Sequence, residues 1–270
     1  MIKASIEDER LIIEELRKDI ANNLYMYIDI KEYGINNDFA KVWLQKEENK
    51  IKKIILKYYD SFQIYSVDLE NDYSDILSLV MKYNPSMVSS REIIIRNMYK
   101  KISNLYKVTY GYVLQQTRAC SNEYFCLPEL ASLNDMEEIA RLICAEESIG
   151  KHYTESVLKE QLEKRYKDKI GRNYIIRIHG KIIAHYSTYA ETNGLAILGG
   201  LVVDPIFRGN GYARLLHCYL SNLLAKEYKE IYLFCHDKYI CNMYQRLGAS
   251  ISSRYGKLTL IKKGKRCDYK

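Results

Sequence analysis

The sequence predicts an α/β protein of two domains, and three observations carry that prediction. Its 270 residues are enough for two domains of ordinary size. In both halves, segments with helical spacing alternate with short strand-like runs bounded by turn formers. One stretch, Val202 to Leu216, reads as strand end, glycine turn and helix start in direct succession. The composition agrees: 47% hydrophobic and 28% charged residues belong to a folded chain rather than a disordered one.

The first half opens with helical spacing at Ile6, Leu11, Ile13, Leu16 and Ile20. Strand-like runs follow at 24–28, 40–44, 51–56 and 62–67, separated by turn formers such as Gly34 and Glu47-Glu48-Asn49. A helix is expected over 72–83, stopped by Asn84-Pro85. Ser89 or Ser90 is placed to cap a further helix carrying Ile93, Ile94, Met98 and Tyr99. A strand over 106–114 closes this half.

Periodicity breaks between Thr117 and Leu127, which puts the domain join at 125/126 and gives domains 1–125 and 126–270. Asp135, with Glu138 three residues on, has the form of a helix cap, and the helix shows Met136, Ile139, Ala140 and Ile143 on one face. After Gly150, Thr154 is placed to cap a second helix with Val157, Leu158 and Leu162. Three strands follow, 173–178, 181–190 and 195–203, turning at His179-Gly180 and Asn193-Gly194. Beyond the glycine turn come a helix, a short strand at 231–235, a helix over 238–247 ended by Gly248, and two closing strands around Arg254-Tyr255-Gly256.

The glycine turn carries the chemistry. Pro205 cannot donate a ladder hydrogen bond, so the strand should end there. Tyr212, Leu215, Leu216, Tyr219 and Leu223 then have helical spacing. A helix start leaves several backbone N–H groups without partners, all pointing one way. Small residues at Gly209, Gly211 and Ala213 let a ligand approach those donors, so the stretch suits an anion such as a diphosphate. The Walker ending and the third glycine of the dinucleotide fingerprint are both missing.

Arg208-x-x-Gly211-x-Ala213, following Val203-x-Pro205, instead resembles the acetyl-CoA loop of the GNAT acyltransferase superfamily. The element order over about residues 130–262 is similar to that fold, a central mixed, mostly antiparallel sheet flanked by helices. Tyr244-x-x-x-Gly248 also resembles a signature of the family, with Ala249 in place of its usual Phe. Asp237, where an Asn is common, and Tyr239-Ile240, where small residues are common, also depart from the pattern. The first half shows a similar element order but no such loop, so it resembles at most a degenerate copy that covers or shapes an acceptor cleft.

The resemblance implies an N-acetyltransferase with acetyl-CoA as donor and a primary amine as acceptor. It places the pyrophosphate on the backbone of Arg208, Gly209, Asn210, Gly211, Tyr212 and Ala213. It places the pantetheine arm against the backbone of Leu201, Val202 and Val203, with Gly199-Gly200 suited to the bulge that splays this strand from its neighbour. One N–H of this strand would polarise the thioester carbonyl. Tyr244 stands where the family has its tyrosine acid, although it also shares a helix face with Ile240 and Leu247. For the base, Glu191, His185 and a relayed water stand side by side. The alternative is a GNAT-like module that binds acyl-CoA and does no chemistry. The acceptor is expected to meet residues 146–154.

The net charge of +7 suits an anionic ligand, and the basic run Lys262-Lys263-Gly264-Lys265-Arg266 reads as a solvated tail, so no nucleic-acid partner is expected. The seven cysteines are odd in number and lack a Cys-x-x-Cys pair. They read as reduced thiols of a cytoplasmic protein, with no metal site. Neighbours such as His217-Cys218 and Cys235-His236 point to different faces and cannot easily supply two ligands. No signal pattern or spanning segment is read, so no membrane partner is expected. The expected state is a monomer or homodimer.

Overall fold

The structure is a computed structural model that describes all residues except 36, 70–72, 122–124, 147–153, 193 and 262–270. The chain forms two compact units, Met1–Val113 with Ser252–Lys270, and Leu114–Ile251. This differs from a single join at 125/126. The chain crosses at 113/114 and returns at 251/252, because its last strand pairs within the first unit.

The first unit contains β1 (Ile2–Lys3), α1 (Glu9–Arg17), α2 (Ile20–Tyr33), β2 (Ala40–Glu47), β3 (Lys50–Tyr58), β4 (Ser61–Ser66), α3 (Ser74–Tyr83), β5 (Met87–Arg91), α4 (Glu92–Ile102) and most of β6 (Tyr106–Gln116). The strand order is β1-β2-β3-β4-β5, then the chain's last strand (Ala249–Leu260), then β6. The pairs from β1 to β4 are antiparallel, β4 and β5 are parallel, and the last strand runs antiparallel to β5. Phe62, Ile76, Val80, Val88, Ile94, Ile95 and Met98 form a core under α3 and α4. Burial of such side chains contributes roughly 1.5–3 kcal/mol each.

Three expectations are corrected here. Residues 24–28 form part of α2 rather than a strand. Leu24, Met26, Tyr27 and Ile28 are buried, and a short apolar run serves a buried helix as well as a strand. The helix after Ser90 starts later, at Glu92, because Met87–Arg91 is strand β5 and the Ser90 hydroxyl donates to Ile64 O at 2.6 Å instead of capping. The two closing strands are one. A Cβ on Gly256 would lie 2.6 Å from Ile95 Cβ, so this glycine marks close approach of strand to helix rather than a turn.

The second unit contains β7 (Glu129–Leu130), α5 (Met136–Cys144), α6 (Glu155–Lys167), β8 (Asn173–Ile178), β9 (Lys181–Thr192), β10 (Leu195–Val203), α7 (Tyr212–Leu224), β11 (Glu230–Cys235), α8 (Lys238–Arg246) and the start of β12 (Ala249–Leu260). Its strands run β7-β8-β9-β10-β11, antiparallel except for the parallel pair β10 and β11. Thr154 caps α6 as expected, its hydroxyl accepting from Val157 N at 3.4 Å. The cap before α5 is Ser132, whose N and Oγ donate to Asp135 Oδ2 at 2.7 and 2.8 Å. Glu138 does not close that cap; it accepts from Ile182 N at 2.7 Å. Met136, Ile139, Ala140 and Ile143 pack on Ile175, Ile182 and Val202. The two units thus share one order of elements: strand, two helices, three antiparallel strands, helix, parallel strand, helix, strand.

Candidate active site

The site is built where β10 leaves its parallel neighbour. Pairing of β10 with β11 runs from Leu195↔Glu230 to Leu198↔Leu233, while pairing with β9 continues to Val203↔Ala184. Between Gly199 and Val202 the β9 register slips by one residue, which is the expected bulge. Side chains from β9 satisfy its carbonyls. Ser187 Oγ donates to Gly199 O at 2.9 Å, and His185 Nδ1 lies 2.8 Å from Gly200 O. The bulge is therefore a hydrogen-bonded feature of the sheet that bends β10 away from β11.

Leu201, Val202 and Val203 follow the bulge, and Val202 and Val203 are buried. The strand ends at Asp204, whose carboxylate accepts from Lys181 Nζ at 2.7 Å and Ile206 N at 3.1 Å. The Lys181 bond first, then the Ile206 N–H, hold this carboxyl below its ordinary range. Arg208 is half exposed and is held at both ends. Its Nε donates to Val203 O at 3.1 Å and its Nη2 to Glu146 Oε2 at 2.5 Å. Asn210 Nδ2 donates back to Phe207 O at 3.1 Å.

Gly209 and Gly211 have φ of +82° and +85°, backbone that glycine adopts without steric cost. Gly211 is the residue from which α7 starts. A Cβ on Gly209 would meet nothing within 4 Å, and one on Gly211 would touch only the Phe125 ring, at 3.6 Å. The outer face of the turn is thus open, and the N–H groups at the start of α7 face it. Phe125 and Phe207 stand edge-on to the Tyr212 ring, at 5.4 and 6.4 Å. The residues present fit a diphosphate held by backbone donors.

Tyr244 sits on α8 and is 6% exposed. Its ring centroid is 4.7 Å from that of His217, and its hydroxyl lies near that of Tyr186. Burial pushes its pKa well up, so it stays protonated at neutral pH. His217 Nε2 lies 3.1 Å from Gln116 Oε1, and its Nδ1 lies 3.3 Å from the Tyr186 hydroxyl. Burial pushes the His217 pKa down to about 3. The neutral ring therefore donates from Nε2 to the amide oxygen and accepts at Nδ1 from Tyr186.

Neither candidate base is free. Burial pushes His185 down to about 4 against the Gly200 bond, and its Nε2 lies 3.0 Å from the Asn173 amide. Glu191 accepts from Arg172 Nε and Nη2 at 2.9 Å each, from Thr188 Oγ1 at 2.5 Å and from Tyr228 OH at 2.8 Å. Burial raises its pKa, and these bonds with the Arg172 charge outweigh burial and leave it lowered. Sequence reasoning missed Tyr186, Tyr189 and His217. A Cβ on Gly199 would lie 2.3 Å from the Tyr189 ring, so that ring lies directly on the bulge, and it is 39% exposed. The available signal was Tyr186-Ser187-Thr188-Tyr189 on the strand facing Gly199-Gly200.

Comparison with known proteins gives the family of this stretch. Residues 135–249 match the family model for the acetyltransferase (GNAT) family. These residues are a GNAT domain. Among solved structures, a GCN5-related N-acetyltransferase from Sphaerobacter thermophilus has a TM-score of 0.63 at 16% identity, covering 95% of this chain and 93% of its own. An acetyltransferase of the GNAT family from Colwellia psychrerythraea has a TM-score of 0.57 at 12% identity, covering 92% and 97%. A tandem GNAT protein from the clavulanic acid biosynthesis pathway has a TM-score of 0.59 at 10% identity, covering 96% and 97%. No curated protein matches the sequence.

The family's general chemistry is acetyl transfer from acyl-CoA. Between β4 and α3 the first unit has Val67 to Tyr73, a stretch with no glycine. Among the described residues, no group of three or more His, Cys, Asp or Glu forms a metal-binding cluster, and no helix is long and apolar enough to cross a membrane. Cys267, the tail run 262–266, Asn193 and most of the expected acceptor segment, 147–153, lie outside the described residues.

Proposed function

We propose that the second unit is an acetyl-CoA-dependent N-acetyltransferase that moves the acetyl group to a primary amine. The observation that carries this reading is the bulge at Gly199–Val202, where β10 parts from β11 and runs straight into the open glycine turn at the start of α7. Acetyl-CoA supplies the acetyl group activated as a thioester. Backbone N–H groups from Arg208 to Ala213 hold the pyrophosphate. The backbone of Leu201, Val202 and Val203 takes the pantetheine arm, and one of its N–H groups polarises the thioester carbonyl. The Tyr244 hydroxyl gives its proton to the departing sulfur. His217 packs on the Tyr244 ring and holds it in place, and because both candidate bases are engaged, a water takes the amine proton.

The engagement of His185 and Glu191 also favours a second reading, in which the domain binds acyl-CoA without chemistry. One experiment separates them. Acetyl-CoA at 100 times its Kd should stabilise the protein by about 2.7 kcal/mol, and Gly211→Glu should abolish that thermal shift. Release of free thiol with a panel of primary amines then indicates the enzyme. A thermal shift without thiol release indicates the binding module, and no shift removes both readings.

A further inference from the structure

The first unit has a pocket of its own. It opens at the carboxyl ends of the parallel strands β4 and β5, whose pairing stops at Gln63↔Ser89. Crevices at that edge of a sheet are where α/β folds bind ligands. Its volume is about 320 Å³, at the lower end of the range for small-molecule sites (about 300–1,000 Å³). The walls include Asn22, Leu69, Arg91, Glu92, Arg96 and Arg254. The eleven-residue helix α4 starts at Glu92, so its N-terminal N–H groups add positive potential at the same place.

Three guanidiniums face one lining carboxylate. Arg91 pairs with Asp19, outside the wall, and Arg96 pairs with Glu92 Oε1. Arg254 Nε lies 3.0 Å from Glu92 Oε2, an ion-pair contact whose angle falls short of a hydrogen bond. Arg96 lies over the Tyr110 ring at 4.5 Å and Arg254 over the Tyr112 ring at 5.2 Å. The rings fix the planes of both forks, and each fork has five N–H donors of which these contacts use few. Arg91 Nε is buried and has no hydrogen-bond partner among the described residues. A buried donor left so is costly, and the rest of the Arg91 guanidinium lines the pocket beside Arg96 and Arg254.

We propose that this pocket binds a small organic anion through Arg91, Arg96 and Arg254, one carrying a carboxylate or a phosphate group. Leu69 and the Arg91 stem supply the apolar wall for its body. All of its lining residues belong to the first unit.

The test is calorimetric titration of the full chain at low salt with glutarate and with inorganic phosphate. At least one probe should bind with a Kd below about 1 mM. Which one binds tells whether carboxylate or phosphate is recognised. The double variant Arg96→Gln, Arg254→Gln should weaken binding at least tenfold, while Arg10→Gln, at an exposed arginine outside the pocket, and Gly211→Glu should leave it unchanged. The Arg96 and Arg254 side chains are 51% and 59% exposed, Gln keeps an N–H donor toward Glu92, and circular dichroism is used to show that the double variant is folded. Binding of neither probe, equal binding by the double variant, or loss of binding in Gly211→Glu would each overturn the proposal.

Discussion

Replacing Glu191 by Gln tests whether this carboxylate holds the fold or moves protons. Its two oxygens accept four hydrogen bonds, two of them from Arg172, and its side chain is 14% exposed. A Gln keeps one acceptor oxygen and turns an NH2 toward the donors at the other. One charge-assisted bond is lost outright, about 1.5–3 kcal/mol. Arg172 keeps Glu227 at 3.0 Å, which limits the cost of its orphaned donor. The net loss should be about 2–3 kcal/mol, or about 4–10 °C in Tm. Because the folded-state pKa is lowered, the stabilisation is complete above the unfolded value, about 4.3, and is lost as pH falls through the folded one. Thermal unfolding by circular dichroism should therefore show the full gap at pH 7 and a closing gap below about pH 4. Turnover per folded molecule should hold. A loss under about 0.5 kcal/mol with turnover down a hundredfold would refute this reasoning and make Glu191 the base.

Asp29 behaves in the opposite sense. Burial pushes its carboxyl up to about 6 against the bond from Gln63 Nε2 at 2.6 Å, so its stability contribution is full below the unfolded pKa and falls as pH rises through 6. Asp29→Asn should therefore match the wild type at pH 4 and exceed it by about 2–3 kcal/mol at pH 8. Fluorescence of Trp43, the single tryptophan and part of the same unit, reads this out. Gly171→Ala should cost at least about 2 kcal/mol in a urea melt, because its φ is +74° and the added Cβ would sit 2.3 Å from Thr188 O. Tyr244→Phe should lower turnover about a hundredfold while leaving acetyl-CoA affinity intact by calorimetry. Unchanged turnover would remove Tyr244 from the chemistry.

Much of the fold was legible because local signals agreed with the tertiary outcome. The hairpins of β8, β9 and β10 follow from their turn residues, and the Gly199-Gly200 bulge follows from two adjacent glycines inside an apolar strand. What was hidden depends on contacts remote in sequence. Residues 24–28 have no period that separates helix from strand, and burial against β4 decides it. Gly256 reads locally as a turn, but only the nearness of Ile95 explains it. His217 looked like half of a poor metal pair, and its real partners, Gln116 and Tyr186, lie 101 and 31 residues away.

The place of β12 has a consequence for how the protein is made. The first unit's sheet needs residues from Ser252 on between β5 and β6, so it cannot close until those residues have left the ribosome. At about 5–20 residues per second, the edge of β5 waits some seconds with its backbone groups unpaired. A nascent chain halted between Arg91 and Ser252 would expose that edge, so the first unit is finished by residues made long after its other strands.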